Sequence, residues 1–164
     1  MDDRRINPAS GASPASSASP ASSASPARHV STARHVSTAR LISGHSPYEA
    51  IFGFSRAVIS GDRVLVAGTA PIPPDGSPPP AEPFAQAMLC LDLIGEALGK
   101  AGTGLDQVIR TRMYITGAGY WDEVARAHGK VFAAIRPAAT AVIVAGLLDP
   151  AWLVEIEAEA ILPA

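Results

Sequence analysis

Three glutamates near the end of the chain, Glu155, Glu157 and Glu159, alternate with Val154, Ile156, Ala158 and Ala160. Successive side chains of a β-strand point to opposite faces, so this spacing puts all three carboxylates on one side and four apolar residues on the other. Such a row supports two kinds of chemistry. One is general acid or base work by a carboxyl whose surroundings hold its proton near neutral pH. The other is ion pairing across a sheet, here with Arg110 and Arg112, which also share one face of their strand. Ion pairing is the expectation for Glu157 and Glu159, and Glu155 stays open between the two. His128 is the second titratable candidate. It shares a helical stripe with Trp121, Val124, Val131, Phe132 and Ile135. That makes it either a satisfied core or interface histidine, or an acid/base whose ordinary pKa suits proton transfer near neutrality. Cys90, between Leu89 and Leu91, has no adjacent base or cation to lower its pKa, so it reads as packing, and Trp121 and Trp152 read the same way.

These residues need elements to hold them. "TARLIS" (38–43), "SRAVIS" (55–60) and "RVLVAG" (63–68) read as short strands, the last two joined by a tight Gly61-Asp62 turn. "APIPPDGSPPP" is a surface loop, because proline fixes φ and removes donors. Glu82-Pro83 opens a helix whose apolar residues recur from Phe84 to Leu98, and Gly102 ends it. "DQVIRTRMYIT" (106–116) is a strand, and Tyr120 to Ile135 a second helix. Two last strands, "ATAVIVAG" and "WLVEIEAEAIL", flank Asp149-Pro150. The order βββαβαββ is an α+β layer, two helices packed on one face of a mixed β-sheet. Ala141 to Leu148 are apolar or glycine without interruption. A strand with one face in water would alternate, so something must cover the second face, and the expected cover is another copy of the chain.

Composition narrows the partners. Residues 1–40 hold five arginines against Asp2 and Asp3, whereas residues 41–164 hold eight bases against thirteen acids. An acidic body without a clustered basic stripe argues against a nucleic-acid partner. Residues 12–27 repeat ASPASS and residues 28–39 repeat RHVSTA, low-complexity sequence expected to be a disordered tail ahead of one domain over 41–164. His29 and His35 in that tail read as solvated bystanders. With one cysteine and no clustered His/Cys pattern, neither a disulfide, a metal nor a cofactor is expected. No run of about 18 apolar residues suggests a membrane span, so a cytoplasmic location is expected.

Together "FGFSRAV" (52–58), "VLVAGTAPI" (64–72), "LDQVIRTRMYIT" (105–116), "RPAATAV" (136–142) and "LVEIEAEAI" (153–161) resemble the RidA/YjgF family, also called the L-PSP endoribonuclease-like family, over residues 41–164. The resemblance implies a chorismate-mutase-like fold and a homotrimer, its sheets facing inward, with small-molecule clefts between subunits. It also implies hydrolysis of reactive enamines and imines such as 2-aminoacrylate. In the deaminating members an arginine between Pro-Ala and Ser/Thr forks the substrate carboxylate; here Pro137, Ala138 and Thr140 keep the frame, and Ala139 stands at the arginine position. The water-positioning glutamate corresponds to Glu155, and Gly68 with Thr69 match a ligand-binding pair. Phe54 replaces a tyrosine and Arg56 a glutamine, while Ala125 and His128 replace an asparagine and a tyrosine. The expected catalytic pair is therefore Glu155 and His128, with Phe54, Arg56, Gly68, Thr69, Arg112, Ala139 and Thr140 binding ligand, and with Arg56 or Arg112 as the replacement cation. The function expected is hydrolysis at a C=N bond, without deamination of 2-aminoacrylate. The alternatives are a non-catalytic ligand-binding module and, more weakly, an endoribonuclease.

Overall fold

The alternation of residues 154–161 is realised as the most protected strand of a six-stranded sheet. The computed structural model describes residues 39–46 and 48–164. The expected disordered tail and its repeats lie outside the described residues, apart from Ala39 and Arg40. The strands are β1 (Arg40–Ile42), β2 (Ala57–Ser60), β3 (Arg63–Thr69), β4 (Val108–Ile115), β5 (Ala138–Ile143) and β6 (Val154–Ile161), and the helices are α1 (Tyr48–Phe52), α2 (Pro83–Ala101) and α3 (Trp121–Phe132). They stand in the sheet as β1-β2-β3-β6-β4-β5. Only β4 and β5 run parallel, as they must when a helix, α3, carries the chain between them.

One face of the sheet takes α2 and α3. Along β6, Val154, Ile156, Ala158 and Ala160 are buried, and across the ladder they meet Val64 and Val66 of β3 and Met113 and Ile115 of β4. Ala87, Leu91, Ile94 and Leu98 of α2 close over them, with Val124, Ala127 and Phe132 of α3 alongside. The spacing of these α2 residues is the helical period, which is why one stripe can be fully buried while Asp92 and Glu96 stay wet. Gly102 ends α2 at φ 94°, where its N–H returns to the Gly99 carbonyl and the Thr103 N–H to Leu98. Only glycine takes that left-handed angle without strain.

The two main helices, the sheet and their order agree with the sequence. The departures are local. Residues 48–52 form the short helix α1, where no element was expected; Gly53 at φ 74° caps it by donating to the Glu49 carbonyl. A 3-10 turn over Leu105–Gln107 takes the start of the expected strand 106–116. α3 ends at Phe132, and Arg136 sits at φ 57° with its N–H on the Phe132 carbonyl, a turn that leads straight into Pro137. β5 stops at Ile143, short of the expected Gly146. None of its residues is buried, and Val142 and Ile143 are exposed. Among the described residues no helix is long and apolar enough to cross a membrane, and no group of three or more His, Cys, Asp or Glu is placed to hold a metal ion.

Gln86 ties three segments together. The side chain, on the first turns of α2, is 1% exposed. Its amide nitrogen donates to the carbonyls of Pro80 and Ala151, each at 2.8 Å, and its oxygen accepts the Leu153 N–H at 2.7 Å. The proline loop and the turn entering β6 are thus fastened to one helix. Gln86→Leu leaves these three backbone groups without a partner, and an unpaired buried group costs about 1–3 kcal/mol. We expect a loss of about 3 kcal/mol in denaturant unfolding; a loss under about 1 kcal/mol would contradict this role.

Candidate functional site

The β3–β6 ladder pairs Val66 with Ala158 and then resumes at Thr69 with Ile156, so β3 carries one extra residue. Such a bulge takes backbone groups out of the ladder, and they need other partners. Arg56 supplies them. It stands just before β2, and its Nη2 donates to the carbonyl of Ala67 and, at 2.8 Å, to that of Gly68. The Thr69 hydroxyl also turns back to Ala67, at 3.0 Å.

The bulge makes room for Glu155. A Cβ on Gly68 would lie 2.1 Å from Oε1 of Glu155, so the carboxylate occupies the space that a side chain would fill. Glycine is required there by packing rather than by backbone angle. Among the described residues Glu155 has no ion-pair partner within 4 Å. Burial raises its pKa from the ordinary carboxylate value, Glu157 adds to the rise, and Arg56 opposes it. Arg56 shows the mirror behaviour: burial lowers its pKa, while Glu49 and Glu155 raise it. Its Nε is buried with no hydrogen-bond partner.

Both side chains line a cleft of about 550 Å³. Ala67, Gly68, Phe54 and Trp152 also line it, together with Tyr48 and Phe52 of α1 and residues 72–74 and 76 of the proline loop. The position of α1 depends on Glu49, whose carboxylate accepts the Gly44 N–H at 2.8 Å. Gly44 in turn lies so close to the Arg56 stem that a Cβ would sit 3.0 Å from Cδ. A half-buried carboxyl held in an apolar cleft without a salt bridge can accept a proton from water and return it to a departing group.

Of the expected site residues, the structure brings Phe54, Arg56, Gly68 and Glu155 together at this cleft. Thr69 lies beside it, 1% exposed, with its hydroxyl engaged by backbone. Arg112 is not in the lining of this cleft in one chain. It lies on the open face of the sheet, 2.5 Å from Glu157 and 3.5 Å from Glu159, while Arg110 and Arg63 each stand 3.8 Å from Glu159. The space among these ion pairs is only about 60 Å³, enough for water.

His128 is also absent from the lining of this cleft. Its Nε2 lies 2.9 Å from the Thr111 hydroxyl and its ring 4.7 Å from that of Phe132. Burial lowers its pKa, which favours the neutral ring. Ala139 pairs with Thr111 across β4–β5, and Thr140 pairs with Arg112. Adjacent strand residues face opposite ways, so Ala139 lies on the His128 side and Thr140 on the ion-pair side. In one chain the expected residues thus form three groups: Glu155 with its neighbours at the bulge, Ala139 on the His128 side of the edge strand, and Arg112 with Thr140 on the open face.

Residues outside the expected set also matter. Trp152 is buried against the cleft, Tyr48 and Phe52 of α1 line it, and Gln86 holds two of its walls. The signals available for α1 were the spacing of Tyr48 and Phe52, i and i+4, and Ser46 with Glu49 three residues on, a helix-start pattern. Cys90 is buried, and its thiol pKa is raised, chiefly by burial.

The family model described as Endoribonuclease L-PSP matches residues 43–162. An uncharacterised protein of Streptomyces coelicolor, SCO2049, is 39% identical over 119 residues, which cover 73% of this chain and 89% of that protein. The crystal structure of Rv2704 from Mycobacterium tuberculosis, described as a member of the YjgF/YER057c/UK114 family, is 41% identical with a TM-score of 0.69, covering 76% of this chain and 99% of that one. The YjgF gene product of E. coli is 26% identical with a TM-score of 0.68, over 74% and 98% of the two chains.

The surroundings of Glu155 set a pH dependence. Because its folded pKa is raised, native stability is greatest where the carboxyl is protonated in both states and falls as pH rises through the folded value. Glu155→Gln removes that penalty. The variant should melt higher than the parent near pH 8, with the difference closing as pH falls to the ordinary glutamate value of about 4.3 and below. An unchanged or lower melting temperature at pH 8 would mean that the carboxylate is well solvated or paired.

Proposed function

The chain belongs to the L-PSP endoribonuclease family, the YjgF/Rid group, and from that premise we propose that it is a cytoplasmic homotrimer, its sheets facing inward, that binds a small metabolite in clefts between subunits and hydrolyses a C=N bond there. The domain at work is residues 41–164, with residues 1–40 a separate tail. The observation that carries the reading is the Glu155 carboxylate lying over Gly68, half-buried and unpaired, in a cleft of about 550 Å³. Glu155 takes a proton from water as the water oxygen bonds to the imine carbon and the C=N π electrons move to nitrogen. The proton passes to that nitrogen; then, as the carbinolamine hydroxyl gives its proton to the nitrogen by way of Glu155, the C–N bond breaks and the C=O bond forms, giving the carbonyl compound and ammonia. No metal or redox partner enters the balance.

The uncovered strand β5 supports a shared cleft. Its exposed apolar residues and the Ala139–His128 group lie at an edge that one chain leaves open, and packing against the next copy would complete the cleft from the second side. A single buried thiol, Cys90, is compatible with a reducing compartment. Ribonuclease activity has little support. Arg63, Arg110 and Arg112 on the open sheet face are each paired with a glutamate, so they offer no basic track for phosphates.

The wild-type protein should not accelerate conversion of freshly generated 2-aminoacrylate to pyruvate, because nothing at Ala139 forks a carboxylate. Ala139→Arg should confer that activity. Against a panel of imines released by amine oxidation, with semicarbazide as the competing trap, the wild type should speed hydrolysis and Glu155→Gln should lose at least about 100-fold, the usual contribution of a positioned base. Sedimentation should give the three-chain mass. Rapid turnover of 2-aminoacrylate by the wild type would sink the reading of Ala139. Ligand binding without turnover of any imine would leave a binding module.

A further inference from the structure

The guanidinium of Arg56 has two edges that can fork a carboxylate, Nη1 with Nη2 and Nε with Nη2, and both use Nη2. Nη2 is committed to the carbonyls of Ala67 and Gly68, and Nε is buried. Neither fork is therefore open to a ligand, although Arg56 lines the cleft. Releasing Nη2 would take a donor from both bulge carbonyls and leave Ala67 with the Thr69 hydroxyl, so the commitment belongs to the fold rather than to a passing rotamer.

No other side chain of the lining supplies a guanidinium to fork a carboxylate. Glu155 is itself a carboxylate, and a second beside it would raise the cost of ionising either. Lys100 stands at the mouth on the last turn of α2, with Glu96 one turn earlier, so the mouth has no net positive charge. His45, Ser46 and Tyr48 are the remaining polar side chains of the lining, none of them a guanidinium, and the other walls are apolar. Phe52 and Phe54 pack edge to face, ring centroids 6.2 Å apart at 74°, and Trp152, Leu93 and Ile72 continue the surface. A cleft of about 550 Å³ falls in the range of roughly 300–1,000 Å³ that holds ligands far larger than a three-carbon enamine.

We infer that the ligand of this cleft is a carbonyl or imine compound with a bulky, preferably aromatic, apolar body and no carboxylate on the reacting carbon. The body lies against Phe52, Phe54 and Trp152, and the polar C=N or C=O end meets Glu155. This inference takes the proposed cleft and its reaction as given and adds the class of compound. Affinity comes from apolar area and aromatic packing, and selection against amino-acid-derived imines comes from the missing fork.

The test is a matched pair of stable ketones that differ only in a methyl or a carboxylate on the carbonyl carbon, benzylacetone and benzylpyruvate, titrated calorimetrically into the full-length protein, with pyruvate as the small carboxylated probe. Benzylacetone should bind at least ten-fold more tightly than benzylpyruvate, and pyruvate should give no saturable heat. Phe52→Ala, at a site 83% exposed that the folding of the chain does not need, should weaken benzylacetone at least five-fold. Equal or tighter binding of benzylpyruvate, absence of benzylacetone binding, or indifference to Phe52→Ala overturns the inference. Benzylacetone binding to a protein that hydrolyses no imine upholds the ligand class and discards the C=N reaction alone.

Discussion

One arginine holding two carbonyls governs this molecule. The bulge in β3 at Ala67–Gly68 takes backbone groups out of regular pairing, and Nη2 of Arg56 donates to both carbonyls, joined at Ala67 by the Thr69 hydroxyl. The place of Glu155 follows from that. The bulge brings Gly68 under Glu155, and the missing side chain gives the carboxylate its place. Arg56 binds the backbone of the bulge, and its charge still reaches Glu155.

The same strand sorts its three glutamates by their neighbours. Glu157 and Glu159 face Arg112 and Arg110 across β4, and half-exposed pairs of this kind contribute little to stability. Glu155 faces Tyr114 instead, where β3 has departed from regular pairing. Three residues with one spacing and one chemistry thus divide into a solvated ion-pair network and a desolvated acid, and the division is made by the partner strands. The burial of Trp152 and the three bonds of Gln86 keep the start of β6 in register for this.

Much of this was legible because it is periodic. The alternation in β6, the stripe on α2 and the stop at Gly102 each repeat a signal over many residues, and the uninterrupted apolar run through β5 showed that one chain does not cover its own sheet. The parts that were not legible are those that depend on distant partners. Gln86 reads as one more polar residue on a helix until Pro80, Ala151 and Leu153 are placed around it. A bulge is a slip of one residue, which leaves no trace in the hydrophobic pattern of "RVLVAGT". Helix α1 is too short for its period to stand out after Pro47. Arg112 and Arg56 were indistinguishable as cations because their sequences do not say which face of the sheet, or which carbonyls, they meet. Ala139 and Thr140 were grouped from the resemblance, although strand geometry alone separates their faces.

The central claim is that Glu155 is a half-buried acid without an ion-pair partner in a largely apolar cleft. Carbon-13 NMR titration of the glutamate carboxyls, assigned by comparison with Glu155→Gln, measures this directly. The account predicts that the Glu155 signal titrates above the ordinary value of about 4.3 and moves toward it in Gly68→Ala, where the new methyl drives the carboxylate out of its place. A Glu155 that titrates at or below the ordinary value in the native protein would contradict it.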